Sequence, residues 1–173
     1  MATLARTNVA TGAAALGHGM VFVGFLQPWV AGQFGVREHL SGLDLARITD
    51  SLIDYGLAGE ALTLPITRFV LFALPVAAAN ALLLLALGWL GLLAPAHARH
   101  LGLALAVPVA LVTFTAHGLL LLAATVDNGV VEGPAFGLFV TTAGALIAAA
   151  SWWIARGPGD ATVPPVVQPH TEV

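Results

Sequence analysis

Four apolar stretches, each about long enough to cross a bilayer, constrain this chain more than any other feature. A helix needs about 20 apolar residues to span the hydrocarbon core of a membrane. The stretches cover residues 11–34, 66–93, 101–125 and 134–155. Because a backbone in lipid must satisfy its hydrogen bonds internally, they predict an all-α integral membrane protein, built as a bundle of four transmembrane helices.

Composition agrees with a lipid bilayer as the main partner of the chain. Of the 173 residues, 58% are hydrophobic and only 9% are charged, against about 25% charged in a typical soluble domain. The net charge is −3 with six basic residues, so no basic face is available for nucleic acid. Cysteine is absent, which excludes disulfides, iron–sulfur clusters and thiolate zinc sites.

The segments between the spans predict one domain over residues 1–156. A short polar connection at 94–100 predicts that the second and third spans are antiparallel neighbours. Asp127, Asn128 and Gly129 predict a turn before the fourth span, whose first turn would contain Pro134. The last residues, 157–173, form a Pro/Gly-rich tail expected to be extended and to dock along partner subunits.

The long loop at 35–65 contains a helix signal of its own. Ser41 is a candidate N-cap, with Asp44 three residues later. Leu45, Ile48 and Leu52 would share one face of the helix that follows. We predict an amphipathic helix between the first and second spans, lying on the membrane surface or capping the bundle.

Arginine and tryptophan positions bear on orientation. The arginines divide equally between the two sides: Arg6, Arg99 and Arg156 on one, Arg37, Arg47 and Arg68 on the other. Since the side of the termini has short segments and few acids, we expect both termini in the cytoplasm, with the chain in a bacterial inner (cytoplasmic) membrane. The four tryptophans are expected to be interfacial anchors: Trp29, Trp89, Trp152 and Trp153.

His18 in the first span and His117 in the third are the candidate cofactor ligands. An ionisable residue within a span is costly and is therefore a functional hypothesis. Either could be an axial ligand of haem b or a (bacterio)chlorophyll. Counted from the predicted span centres, the two lie about 6 Å from mid-depth on opposite sides, which favours separate pigments over one shared haem. The alternative is that each histidine hydrogen-bonds a neighbouring helix.

Two smaller polar clusters are weak candidates for a metal site. His97 and His100 would share a helix face near Arg99, but two ligands are too few and a polar cap at a hairpin is the simpler interpretation. Asp50 and Asp54 stand one turn apart, with Arg47 close enough to neutralise them.

Two prolines and an asparagine carry a transport hypothesis. Pro75 and Pro108 interrupt the second and third spans, and Asn80 lies near mid-depth. Broken helices with a polar residue at the midplane are typical of transporter substrate sites. However, the spans contain no acidic residue for ion coupling, so packing kinks are the alternative interpretation.

Small residues on two spans predict faces for close helix contact. Gly144 and Ala148 in the fourth span stand four apart, as do Ala13 and Gly17 in the first. Such spacing lets helix backbones approach closely. These faces would either close the bundle or dock onto another protein.

The sequence contains no recognisable catalytic motif: no HExxH, GxSxG, Walker loop or GxGxxG. The favoured hypothesis is therefore not an enzyme. It is a small tetraspan protein acting as an accessory or structural subunit of a larger membrane complex, such as a respiratory or photosynthetic one, or self-associating. The first alternative is a haem- or chlorophyll-binding module for electron transfer or light harvesting, and the second is a small channel or transporter.

Overall fold

The computed structural model describes residues 2–34, 37–54, 63–125 and 131–155. The predicted tail at 157–173, the turn at 127–129 and part of the long loop lie outside these residues. The described elements, in chain order, are α1 (Ala2–Leu26), β1 (Pro28–Phe34), β2 (Arg37–Ser41), α2 (Gly42–Asp54), α3 (Thr63–Trp89), α4 (Pro95–Thr125), β3 (Val131–Pro134) and α5 (Phe136–Ala155).

The structure is mostly helical, and four of its helices are long and apolar enough to cross a membrane: α1, α3, α4 and α5. α1 contacts α3 and α5, and α4 contacts the same two helices. α3 and α5 therefore occupy opposite corners of the bundle. The structure thus supports the expected membrane-spanning helices in number and in length.

A small sheet at one end of the bundle corrects the all-α prediction. Its order is β2-β1-β3, and both pairings are antiparallel. The expected first span to residue 34 is wrong, because α1 ends at Leu26, just before Pro28, which lacks the N–H of a helical hydrogen bond and disfavours helical geometry at Gln27. Likewise, Pro134 pairs with Val30 in the sheet, and α5 begins only at Phe136.

The sheet holds the ends of α1 and α5 together. Trp29 in β1 is almost fully buried, and its indole nitrogen donates a hydrogen bond to the carbonyl of Gly24 in α1 (2.9 Å). Its own carbonyl accepts from the amide of Ala135, just before α5 (2.8 Å). Trp29 is thus a packing residue, and the expected interfacial anchor at this position is wrong.

α2 begins with the predicted cap. The Ser41 hydroxyl accepts from the Asp44 amide (3.1 Å), while the Asp44 carboxylate accepts from the Ser41 amide (3.0 Å) and hydroxyl (2.7 Å). This reciprocal arrangement is a capping box. Ala46 and Thr49 are buried on the inward face of α2, whereas Ile48 is exposed. The inward face of the helix is therefore rotated from the one predicted. α2 packs on α3 and caps the bundle.

The α3–α4 connection is shorter than predicted. Gly91 adopts a φ of 72°, and the amides of Gly91 and Leu92 bond back to the carbonyls of Gly88 and Leu87. This is a Schellman motif, which requires a residue in the left-handed conformation. Pro95 then occupies the first position of α4, where its missing N–H costs nothing. The polar residues at 95–100 belong to α4 rather than to the connection.

Candidate functional site

The closest seam in the bundle runs between α1 and α5. A Cβ atom placed on Gly17 would lie 2.6 Å from both the amide nitrogen of Ala148 and the carbonyl oxygen of Gly144. A Cβ on Gly24 would lie 2.5 Å from the Thr141 hydroxyl oxygen. Real Cβ atoms do not come this close to other heavy atoms, so only glycine fits at either position without a shift of the helices. Three of the four small residues singled out on α1 and α5, namely Gly17, Gly144 and Ala148, thus face each other inside this chain.

His18 is fully buried beside this seam. The indole N–H of Trp152 in α5 donates to His18 Nε2 at 3.2 Å. Since Nε2 accepts, the ring proton of neutral His18 is on Nδ1. Nδ1 is buried without a hydrogen-bond partner among the described residues. His18 therefore joins two helices through one hydrogen bond, as the second interpretation of its sequence position expected.

The surroundings of His18 do not fit a macrocycle. The Nε2 atom that would bind a metal is engaged by Trp152. The six-membered ring of the Trp152 indole lies against Gly102 of α4, where a Cβ would come within 2.1 Å of the ring. A haem or chlorophyll plane would need the volume that this indole fills. His18 lies within one residue of the middle of the candidate span Asn8–Leu26, whereas the predicted offset was counted from a first span that ran to residue 34.

His117 lies in a different seam, between α4 and α5. It is half-buried, and its ring meets Phe139 edge-to-face with centroids 4.8 Å apart. The neighbouring hydroxyls of Thr113 and Thr115 bond to carbonyls of their own helix. The structure thus places His18 and His117 in separate environments.

Asn80 lies on the outside of the bundle. Its side chain is exposed, and Nδ2 donates to the carbonyl oxygen of Val76 in the same helix (3.0 Å). It borders a shallow groove of about 360 Å³, whose other lining residues are apolar: Phe69, Phe72, Ala73, Val76 and Ala77 of α3 and Leu105 of α4. Asn80 thus faces the surroundings of the protein rather than a path through its centre.

The two prolines within the long helices each interrupt the backbone hydrogen bonding of their helix. Pro75 in α3 and Pro108 in α4 lie within continuous helices. Because proline lacks an N–H, each removes one hydrogen bond to the carbonyl four residues earlier. Neither proline lines the groove beside Asn80.

The metal-binding candidates gain no support. Within the described parts of the chain, no group of three or more His, Asp or Glu side chains could hold a metal ion. His97 and His100 are both exposed at the start of α4. The side chain of Asp54 lies outside the described residues, and Asp50 and Arg47 each take part in a polar interaction.

Sequence reasoning missed the most connected residue of the site, Trp152. It was interpreted as an interfacial anchor, yet it is 3% exposed, whereas the adjacent Trp153 is 68% exposed. A signal was present, because Thr141, Ala148 and Trp152 follow helical spacing on one face of α5.

Comparison with known proteins gives no family assignment. The chain matches no protein-family model, and no curated protein or solved structure shows significant similarity to it.

Proposed function

We propose that this chain is a structural membrane protein that docks onto another membrane-embedded protein through the outward face of α3. That surface, here named the α3 face, consists of Phe69, Phe72, Ala73, Val76, Ala77 and Asn80. The observation that carries the proposal is the exposed Asn80 carboxamide within an otherwise apolar groove.

The physical argument concerns the cost of Asn80 in lipid. A carboxamide has two N–H donors and an acceptor oxygen. In the structure, its Nδ2 donates a hydrogen bond to the carbonyl of Val76 in the same helix, which leaves the second N–H and the oxygen facing outward. Acyl chains offer no hydrogen-bond partner, so exposure of this group to lipid is unfavourable. A polar group on a neighbouring transmembrane helix would satisfy it, and such bonds promote helix association.

The two alternative functions have less support from the geometry. Cofactor binding at His18 would require displacement of Trp152, which bonds to the ring and packs on Gly102. Transport past Asn80 would require this residue to line an internal path, and its side chain is on the outer surface. An accessory or structural role requires no displacement of Trp152 and no movement of Asn80 from the outer surface.

A bacterial cytoplasmic membrane with both termini in the cytoplasm remains our proposed location. The sheet and α2 would then lie on the opposite side. In intact cells, a membrane-impermeant thiol reagent is expected to label Gln33→Cys, in β1, and not His97→Cys, at the start of α4. Both positions are exposed, and the native chain has no cysteine to interfere. Labelling of His97→Cys alone would reverse the proposed topology, and permeabilised cells serve as the control.

Docking through the α3 face can be tested with a bulky substitution. Val76→Trp would fill the groove, and we expect it to convert a larger assembly, extracted in mild detergent, into a species of one 17.7 kDa chain on a native gel. Leu146→Trp is the matched control. Leu146 is 46% exposed and Val76 58% exposed, both lie near mid-span, and α5 is at the opposite corner of the bundle.

Two results would count against the proposed function. The unmodified protein could migrate as a single chain under the mildest extraction. Alternatively, Val76→Trp and Leu146→Trp could dissociate the assembly equally, which would show that the α3 face has no special role.

A further inference from the structure

We infer that the occupant of the α3 face is a second copy of this chain, paired through Asn80 across a two-fold axis perpendicular to the membrane. The inference rests on the proposed function, because it names the partner of the same surface. It is drawn from the chemistry and depth of Asn80 and from the shape of the groove.

Depth is the first argument. Asn80 lies near the middle of the span Phe69–Trp89. With the single orientation proposed above, a two-fold axis that relates two copies runs along the membrane normal. Such an axis places residue and symmetry mate at the same depth. Asn80 of one copy therefore meets Asn80 of the other without any adjustment of register.

Hydrogen-bond complementarity is the second argument. A carboxamide is both donor and acceptor, so two related carboxamides can each donate to the oxygen of the other. In the monomer, Nδ2 donates to the Val76 carbonyl, and its second N–H and the oxygen Oδ1 can make the reciprocal pair. An acyl chain in the groove would leave both unsatisfied.

The groove also permits close approach. Ala73 and Ala77 lie one turn apart on the α3 face, and both are half-buried beside the larger Phe72 and Val76. Small residues allow a neighbouring helix to approach closely enough for polar side chains to bond. A helix of the second copy carries the same alternation of small and large side chains, so projections on one copy can fill recesses on the other.

Disulfide cross-linking in membranes tests the pairing. The chain of 173 residues contains no cysteine, so Val76→Cys introduces one thiol on the α3 face while Asn80 stays intact. Mild oxidation is expected to give a covalent dimer of twice 17.7 kDa. Leu146→Cys, at similar exposure and depth on α5, is expected to give little. Adding Asn80→Leu to Val76→Cys should weaken dimer formation about tenfold on dilution with lipid.

Each other result is decisive. An adduct of Val76→Cys with a protein of different mass would overturn the homodimer while leaving the proposed docking function intact. Cross-linking of Val76→Cys no greater than that of Leu146→Cys would overturn both, and would assign the groove to lipid. A homodimer that forms equally well with Asn80→Leu would overturn the pairing through Asn80.

Discussion

Substitution of Gly17 by valine is expected to open the seam between α1 and α5 and to destabilise the bundle by about 3 kcal/mol or more. Overpacking of a well-packed core costs about 1–3 kcal/mol, and occasionally more. Gly17 is an extreme case, because the atoms that a Cβ would meet at 2.6 Å belong to the main chain of Ala148 and Gly144. Main-chain atoms cannot rotate away, so the helices must separate and the contacts along the whole seam weaken.

Gly19 provides the matched control for this prediction. It lies in the same helix, and a Cβ at Gly19 would have nothing within 4 Å. Alanine substitution should therefore affect the free energy of unfolding differently at the two glycines. Gly19→Ala is expected to be neutral or stabilising, by up to about 1 kcal/mol of helix propensity, whereas Gly17→Ala should lower the free energy of unfolding. Denaturant unfolding in detergent micelles measures both. Equal effects at the two glycines would contradict the close seam.

The number of helices long and apolar enough to span a membrane, and the capping box, could be predicted from the sequence because both depend on local features. A long apolar stretch marks a candidate transmembrane helix, and the Ser41–Asp44 exchange closes within three residues. The small residues at Gly17 and Gly144 were also apparent as contact faces. The four-residue spacing of small residues does not show which surface each face contacts. It could not predict that these two faces pack on each other rather than on another protein.

The sheet could not be predicted in the same way. β1 pairs with β3 about one hundred residues later in the chain, and such a pairing leaves no local pattern. Trp29, Val30 and Phe34 are as apolar as the helix that precedes them, so they extended the first predicted span. Pro28 was the one local sign that the helix ends, because the residue before a proline disfavours helical geometry.

Whether a polar residue in a span faces into the bundle or outward was the hardest feature to predict from the sequence. A soluble helix has a polar face that marks its exposed side, but the span Phe69–Trp89 of α3 is apolar all round, with Asn80 as its one polar side chain. Hydrophobicity cannot then distinguish an inward Asn80 from an outward one. The same ambiguity concealed that Trp152 is buried and Trp153 exposed, although they are adjacent.

Substitution of Trp152 by alanine is expected to cost about 3–5 kcal/mol, as for other large aromatic residues removed from a core. Its indole fills the space between His18 of α1 and Gly102 of α4, so three helices lose contact at once. Trp153→Ala is the control, because Trp153 is 68% exposed and its loss removes little buried area. Denaturant unfolding of the two variants in the same detergent measures the difference.

The hydrogen bond can be separated from the packing by Trp152→Phe combined with His18→Leu. Trp152→Phe keeps an aromatic ring but leaves His18 Nε2 buried without a donor, a situation that costs about 1–3 kcal/mol. In the His18→Leu background the acceptor is gone, so the same Trp152→Phe change should cost less. The difference between the two costs is the coupling energy of a double-mutant cycle. A coupling near zero would mean that Trp152 acts through its volume alone. A clear coupling would show that a histidine at mid-depth in the first span serves to join two helices, the role that its sequence position left open.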